Sequence, residues 1–75
     1  MSSYYYLSSN NNHFYGPGGE TKYYLNGTSV YTIQEGPTGY SVTDNKIYGP
    51  YGYTSCYLDE SGYIYGYPET LPFFK

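Results

Sequence analysis

Residues 46–57 read KIYGPYGYTSCY, and residues 13–24 read HFYGPGGETKYY. Each phrase runs from an apolar residue and a tyrosine through a Gly-Pro corner to a threonine that opens a second apolar run. Aligning the chain against itself extends the likeness to a period of 16–18 residues in three columns. A Leu or Val stands at Leu7, Leu25, Val42 and Leu58. An apolar residue followed by tyrosine stands at Phe14-Tyr15, Val30-Tyr31, Ile47-Tyr48 and Ile64-Tyr65. Threonine stands at Thr21, Thr38, Thr54 and Thr70. A period this short fits one β-hairpin per unit and falls below the common helical solenoids.

Each unit reads strand, turn, strand, connector. The first strands, YYYL, KYYL, GYSV and SCYL, are rich in the aromatic and β-branched residues that suit a pleated surface. The turns, SSNNN, NGTS, TDNK and DESG, hold residues that tolerate positive φ or bond their own backbone, and NG between apolar runs is the strongest of these signals. The second strands are HFYG, SVYT, KIYG and YIYG. The connectors carry Gly16-Pro17, Gly36-Pro37, Gly49-Pro50 and Tyr67-Pro68. Proline cannot donate to a ladder, so these pairs redirect the chain. No segment has helical periodicity. The expected fold is all-β: four β-hairpin repeats of 16–18 residues in a pseudo-four-fold small closed barrel or ring, forming a single domain over residues 1–75.

Alternation along the strands sorts the side chains. Leu7, Leu25, Val42 and Leu58 share a face with Tyr5, Tyr23, Tyr40 and Cys56, while Tyr6, Tyr24, Ser41 and Tyr57 face the other way. In the second strands Phe14, Val30, Ile47 and Ile64 oppose the tyrosines that follow them. Pairing apolar with apolar places one face inward and gathers tyrosine on the other. The C-terminal segment Thr70-Leu71-Pro72-Phe73-Phe74 stands where a fifth first strand would begin, as a half-repeat. Two placements stay open for Leu71, Phe73 and Phe74: a subunit contact in a homo-oligomer, or a strand end packed on the chain's own core.

Composition narrows the function. The chain has 75 residues, three cationic side chains against six acidic ones, a net charge of −3 and fifteen tyrosines. Nucleic-acid binding needs cations to displace counterions from phosphate, so no nucleic-acid partner is expected. A domain this small buries little of its surface, and Cys56 alone cannot form an internal disulfide, which points to self-association for support. The N-terminal MSSYYYLSSNNN has neither a basic nor an apolar signal region, and no stretch is long enough to span a bilayer; a cytoplasmic protein without a membrane partner is expected.

Catalytic constellations are thin. Cys56 sits in an inward column and reads as a small buried hydrophobe. His13 reads as a solvated loop residue, and the carboxylates Glu20, Glu35, Asp59, Glu60 and Glu69 as solubilising turn and connector residues with no pattern for glycoside hydrolysis or metal binding. No enzyme, metal or cofactor is expected. Tyr15, Tyr31, Tyr48 and Tyr65, at equivalent positions, with Tyr6, Tyr24 and Tyr57 beside them, are the candidate ligand-binding or interface residues. Tyrosine offers a rigid apolar face with a hydroxyl tip. The expected function is a non-enzymatic binding module for a sugar or another planar or ring-shaped small molecule. The alternative is a protein-interaction element, a small inhibitor or structural subunit of bacterial or phage type, using the tyrosines and the LPFF tail.

Four short hairpins with IYG exits and NG or DESG turns resemble the small bacterial proteins described as a four-fold β-flower. The resemblance covers Tyr4 to Phe74 and implies a fold and no activity. The phrase KYYLNGTS is also similar to the choline- and glucan-type cell-wall-binding repeats, whose pockets carry tryptophans; this chain has none.

Overall fold

The computed structural model describes residues 5–74; Tyr4, which opens the expected first strand, and the start of the segment read for export lie outside them. Eight antiparallel strands follow one another in chain order. They are β1 (Tyr6–Leu7), β2 (His13–Gly16), β3 (Gly19–Asn26), β4 (Ser29–Thr32), β5 (Gly36–Thr43), β6 (Lys46–Gly49), β7 (Gly52–Leu58) and β8 (Ile64–Tyr65). The class is all-β, as the periodicity predicts. The turns follow their residue chemistry. Asp44 and Asn45 both take positive φ, 53° and 62°, in a two-residue loop between Thr43 and Lys46. That is the geometry of a type I′ turn, whose twist matches the strands it joins. In the Asn26-Gly27-Thr28-Ser29 turn Gly27 takes the first central position at φ 67°, and Asn26 becomes the last residue of its strand.

The Gly-Pro connectors do more than redirect the chain. Gly16 pairs with Gly19, Thr32 with Gly36 and Gly49 with Gly52, so each is itself the tip of an antiparallel pair and the sheet is one continuous meander. Across each of these junctions the register shifts at a bulge, and the longer strand carries extra residues. A bulge leaves ladder groups unpaired, and the threonine column repairs them. Thr21, Thr38 and Thr54 donate their hydroxyls to the carbonyls of Phe14, Val30 and Ile47 at 2.7, 2.8 and 2.7 Å. The same oxygens accept the N–H groups of Tyr23, Tyr40 and Cys56 at 3.2, 3.1 and 3.3 Å.

Closure is a further backbone bond. Leu25 N–H donates to the Asn12 carbonyl (2.7 Å), Val42 to Thr28 (2.8 Å) and Leu58 to Asn45 (2.8 Å). Leu7 donates in the same manner to Gly62 (2.8 Å), joining the last hairpin to the first strand. Ile64 N–H donates to the Tyr5 carbonyl at 2.9 Å, and Tyr6 bridges Tyr63. The sheet is thereby a nearly closed barrel. Its interior follows from register. The cross-strand pairs Leu7↔Phe14, Leu25↔Val30, Val42↔Ile47 and Leu58↔Ile64 set apolar against apolar on the inner face. Phe14, Val30, Ile47 and Cys56 are fully buried, and Ile64 nearly so.

The tail departs from expectation. Residues 68–74 form no half-repeat strand but two 3-10 turns, Pro68–Thr70 and Pro72–Phe74. Proline at the start of each turn presets φ and lacks an N–H, which suits a turn and spoils a ladder. Thr70 accordingly leaves the threonine pattern and donates its hydroxyl to Tyr67 (2.7 Å). Leu71 and Phe73 are 2% exposed and belong to the chain's own core, so their side chains do not form the subunit contact that was one of the two expected placements. Phe73 packs at ring-centroid distances of 4.7 Å from Phe14, 5.0 Å from Tyr23 and 5.2 Å from Tyr40. Half-buried Phe74 meets the edge of Tyr5 at 4.6 Å.

Two stability predictions follow from these contacts. Gly62 has φ +93°, and a Cβ there would overlap the Leu7 carbonyl that it closes upon. Gly62→Ala is expected to cost more than about 1–3 kcal/mol, the usual strain of such a backbone state. At Gly27, where a Cβ meets open space, alanine should cost less. Urea unfolding of the two variants gives the comparison, and equal losses would contradict the closing role. Phe73→Ala is expected to lose about 3–5 kcal/mol with no change of native mass, read by unfolding and by light scattering.

Candidate tyrosine-lined site

The inner face is filled, and tyrosine takes outward positions on every strand except β5, where Ser41 stands opposite Tyr48. Each candidate tyrosine contacts a strand neighbour rather than its equivalents in other hairpins. Tyr6 and Tyr15 are stacked at 4.9 Å with planes 1° apart, and Tyr24 and Tyr31 are stacked at 5.8 Å and 20°. Tyr57 and Tyr65 lie 5.8 Å apart, and Tyr48 reaches Tyr53 at 5.5 Å. Tyr6 also meets Tyr63 at 5.8 Å. Exposure is uneven around the wall. Tyr6, Tyr15, Tyr24, Tyr31 and Tyr48 are half-buried, whereas Tyr53, Tyr57, Tyr63 and Tyr65 leave 46, 47, 47 and 43% of their surface to solvent. These four rings lie on β7, β8 and the turn before β8, with the still more exposed Tyr51 and Tyr67 just outside them.

Asp59 fixes this part of the wall. Its Oδ1 accepts the N–H groups of Ser61 (2.9 Å) and Tyr63 (3.0 Å), and its Oδ2 accepts the Tyr65 hydroxyl (3.0 Å). Burial works to raise the carboxyl, but hydrogen bonds from Tyr63, Tyr65, Ser61 and Gly62 outweigh it and hold Asp59 below the usual carboxylate range. The hydrogen bond to Asp59, and then its charge, push the Tyr65 phenol above its ordinary value, with burial and Tyr57 and Tyr63 adding to the rise.

His13 is not a free loop residue. It begins β2, its Nδ1 lies 2.5 Å from Glu20 Oε2, and its ring stacks on Tyr24 at 5.7 Å. Cys56 is fully buried, as its column predicts. Among the described residues, no three His, Cys, Asp or Glu side chains gather to hold a metal ion, and no helix is long and apolar enough to cross a membrane.

Concavities lined by the described residues include three at different parts of the surface. A cleft of about 380 Å³ lies between the Gly16–Glu20 corner and the tail aromatics Phe73 and Phe74. A basin of about 490 Å³ opens at the turn end of the barrel, over Leu7 and Leu58. A groove of about 300 Å³ runs along the outer wall, lined by Asp44, Asn45, Lys46, Tyr53, Tyr57 and Leu58. Of these three, the last brings exposed tyrosine faces together with charged and amide side chains among the described residues. Of the tyrosines expected to bind, Tyr57 lines it and Tyr65 adjoins Tyr57, while Tyr15, Tyr31 and Tyr48 do not line it. Sequence reasoning missed Tyr53, Asp44, Asn45 and Lys46. The available signal was Tyr53 directly before the column threonine Thr54, where Glu20 and Pro37 stand before Thr21 and Thr38.

No protein-family model, curated protein or solved structure matches this chain.

The Asp59 cluster gives a pH prediction. A depressed carboxylate stabilises the fold fully above its unfolded value, roughly 3.9, and loses that contribution as pH falls through the lower folded value. Tyr65 acts oppositely: its contribution is complete below roughly 10 and is lost as pH rises through the raised folded value. Asp59→Asn keeps an acceptor for the turn but removes the charge. Thermal melting from pH 2 to 6 should show a shallower acid decline in this variant than in the parent. Parallel curves would remove Asp59 from that role.

Proposed function

We propose that this protein is a non-enzymatic binding module that holds a ring-shaped small molecule against Tyr53 and Tyr57. The observation that carries this reading is the wall groove, where two half-exposed tyrosines meet Asp44, Asn45 and Lys46. Binding sites are concave, mostly apolar, and carry a few polar groups that orient the ligand. This groove meets that description. Tyrosine supplies area at low conformational cost because its side chain has few torsions to freeze. The ring pairs Tyr57–Tyr65 and Tyr48–Tyr53 limit ring motion further, so the surface is organised before a ligand arrives. A buried Cys56 and a His13 engaged by Glu20 and Tyr24 support a reading without nucleophilic chemistry.

A second reading is favoured by one observation. Tyr63 and Tyr65 continue the exposed tyrosine face beyond the groove, and Tyr51 and Tyr67 are exposed at 102 and 62%. Tyrosine is enriched in protein interfaces, so this wall also suits another polypeptide, including a second copy of the chain.

Native mass spectrometry of the gently purified protein separates the two. An added mass that is lost on denaturation, and is weakened at least about tenfold (about 1.4 kcal/mol) in Tyr57→Ala but not in Tyr31→Ala, supports the small-molecule site. A discrete oligomer without added mass that falls to monomer in Tyr57→Ala and Tyr65→Ala supports the interface instead. Circular dichroism confirms that each variant remains folded.

A further inference from the structure

Resting on the small-molecule reading above, we infer that the ligand is an oligosaccharide of neutral or amino-bearing sugars. One ring lies on Tyr53 and Tyr57, and the chain continues over the barrel rim into the basin at the turn end. The two concavities are parts of one track, because Asn45 and Leu58 line both. The basin has an apolar floor, Leu7 and Leu58, and a rim of Ser8, Ser9, Asn12 and Ser61. A hydroxyl or a carboxamide can both donate and accept. That versatility matches sugar hydroxyls, which are themselves donors and acceptors in close succession, while the aliphatic floor and the tyrosine faces match the C–H faces of the rings.

The backbones that carry the rim amides are held in place by the fold. Asn12 and Asn45 sit at φ 59° and 62°, and their carbonyls accept Leu25 and Leu58 N–H at 2.7 and 2.8 Å. Their backbones are fixed by barrel assembly, yet no hydrogen bond within the described residues occupies either carboxamide. Two polar side chains are therefore presented to solvent at the rim from fixed backbone positions.

Charge and topology choose among ligand classes. Among the described residues, Lys46 is the one cation lining either concavity, against Asp44, Asp59 and Glu60, which disfavours phosphate or uronic acid and accommodates neutral or amino sugars. An extended peptide added as a strand needs an open sheet edge. Here the described edge of β1 is taken up by the last hairpin, through the Tyr6–Tyr63 bridge and the Leu7–Gly62 and Ile64–Tyr5 hydrogen bonds. A ligand that occupies both concavities gains from the second without a second loss of translational freedom, so affinity should rise with chain length.

The test is calorimetric titration of the full chain with two probe series, glucose and N-acetylglucosamine oligomers of one to four β-1,4-linked units. For at least one series, the expected result is a rise of tenfold or more from the monosaccharide to the trisaccharide. Asn12→Gly keeps the left-handed backbone and removes a carboxamide that lies only in the basin. It should return the trisaccharide to monosaccharide affinity and leave the monosaccharide unchanged, while Tyr57→Ala weakens every length. Equal affinity for all lengths, or Asn12→Gly without effect, overturns the extended track and leaves the small-molecule reading standing. If neither series binds while native mass spectrometry still finds a Tyr57-dependent adduct, the glycan assignment fails alone. If no adduct and no saccharide is bound, both readings fail.

Discussion

A backbone hydrogen bond made four times is the constraint on which this small barrel depends. Leu25, Val42, Leu58 and Leu7 each donate an N–H to the turn of a neighbouring hairpin, at Asn12, Thr28, Asn45 and Gly62. The first three acceptors precede their donors directly along the meander. The fourth spans nearly the whole chain and converts a run of hairpins into a wall that returns to its start. Strands as short as β1 and β8, two residues each, would not hold as free edges. The glycine at residue 62 follows from that need, since the Leu7 carbonyl occupies the space of its Cβ.

Closure creates an interior, and filling it decides the rest. A chain of this length has little apolar surface to spare, and the four inward pairs do not complete the core. The tail supplies the remainder, with Leu71 and Phe73 entering from the corner end among Phe14, Tyr23 and Tyr40. With the inside occupied, the outward tyrosines can bury only part of themselves, by contact with strand neighbours. Their exposure is a consequence of barrel geometry. The uneven share left to Tyr53, Tyr57, Tyr63 and Tyr65 gives one side of the wall more solvent-exposed aromatic surface than the rest.

The bulges connect these two requirements. A small barrel must bend its longer strands, and bending opens the ladder where the register shifts. Thr21, Thr38 and Thr54 fill each opening with one hydroxyl that both donates and accepts, so β3, β5 and β7 turn the corner without stranded backbone groups. The threonine column was visible in the sequence as a bare recurrence; its reason became visible only when Phe14, Val30 and Ile47 were seen facing a bulge.

What the sequence determined by itself was local and periodic. Side-chain alternation set Leu25 beside Val30 and Val42 beside Ile47, because any slip by one residue would turn the apolar set outward. Turn chemistry placed the Gly27-Thr28 and Asp44-Asn45 loops, because few residues accept their backbone angles. The buried place of Cys56 followed from the same alternation. What only the tertiary structure decided was non-local. Whether LPFF extends a sheet, docks on a partner or fills a core depends on the cavity left by distant strands, which no periodicity encodes. The engagement of His13 depends on Glu20 and Tyr24 arriving from β3. The choice of Tyr53 and Tyr57 over Tyr15 and Tyr31 as the accessible pair is likewise a matter of which rings find neighbours. Equivalent positions in the sequence become inequivalent once one hairpin carries an extra tyrosine and the chain ends as a plug instead of a strand.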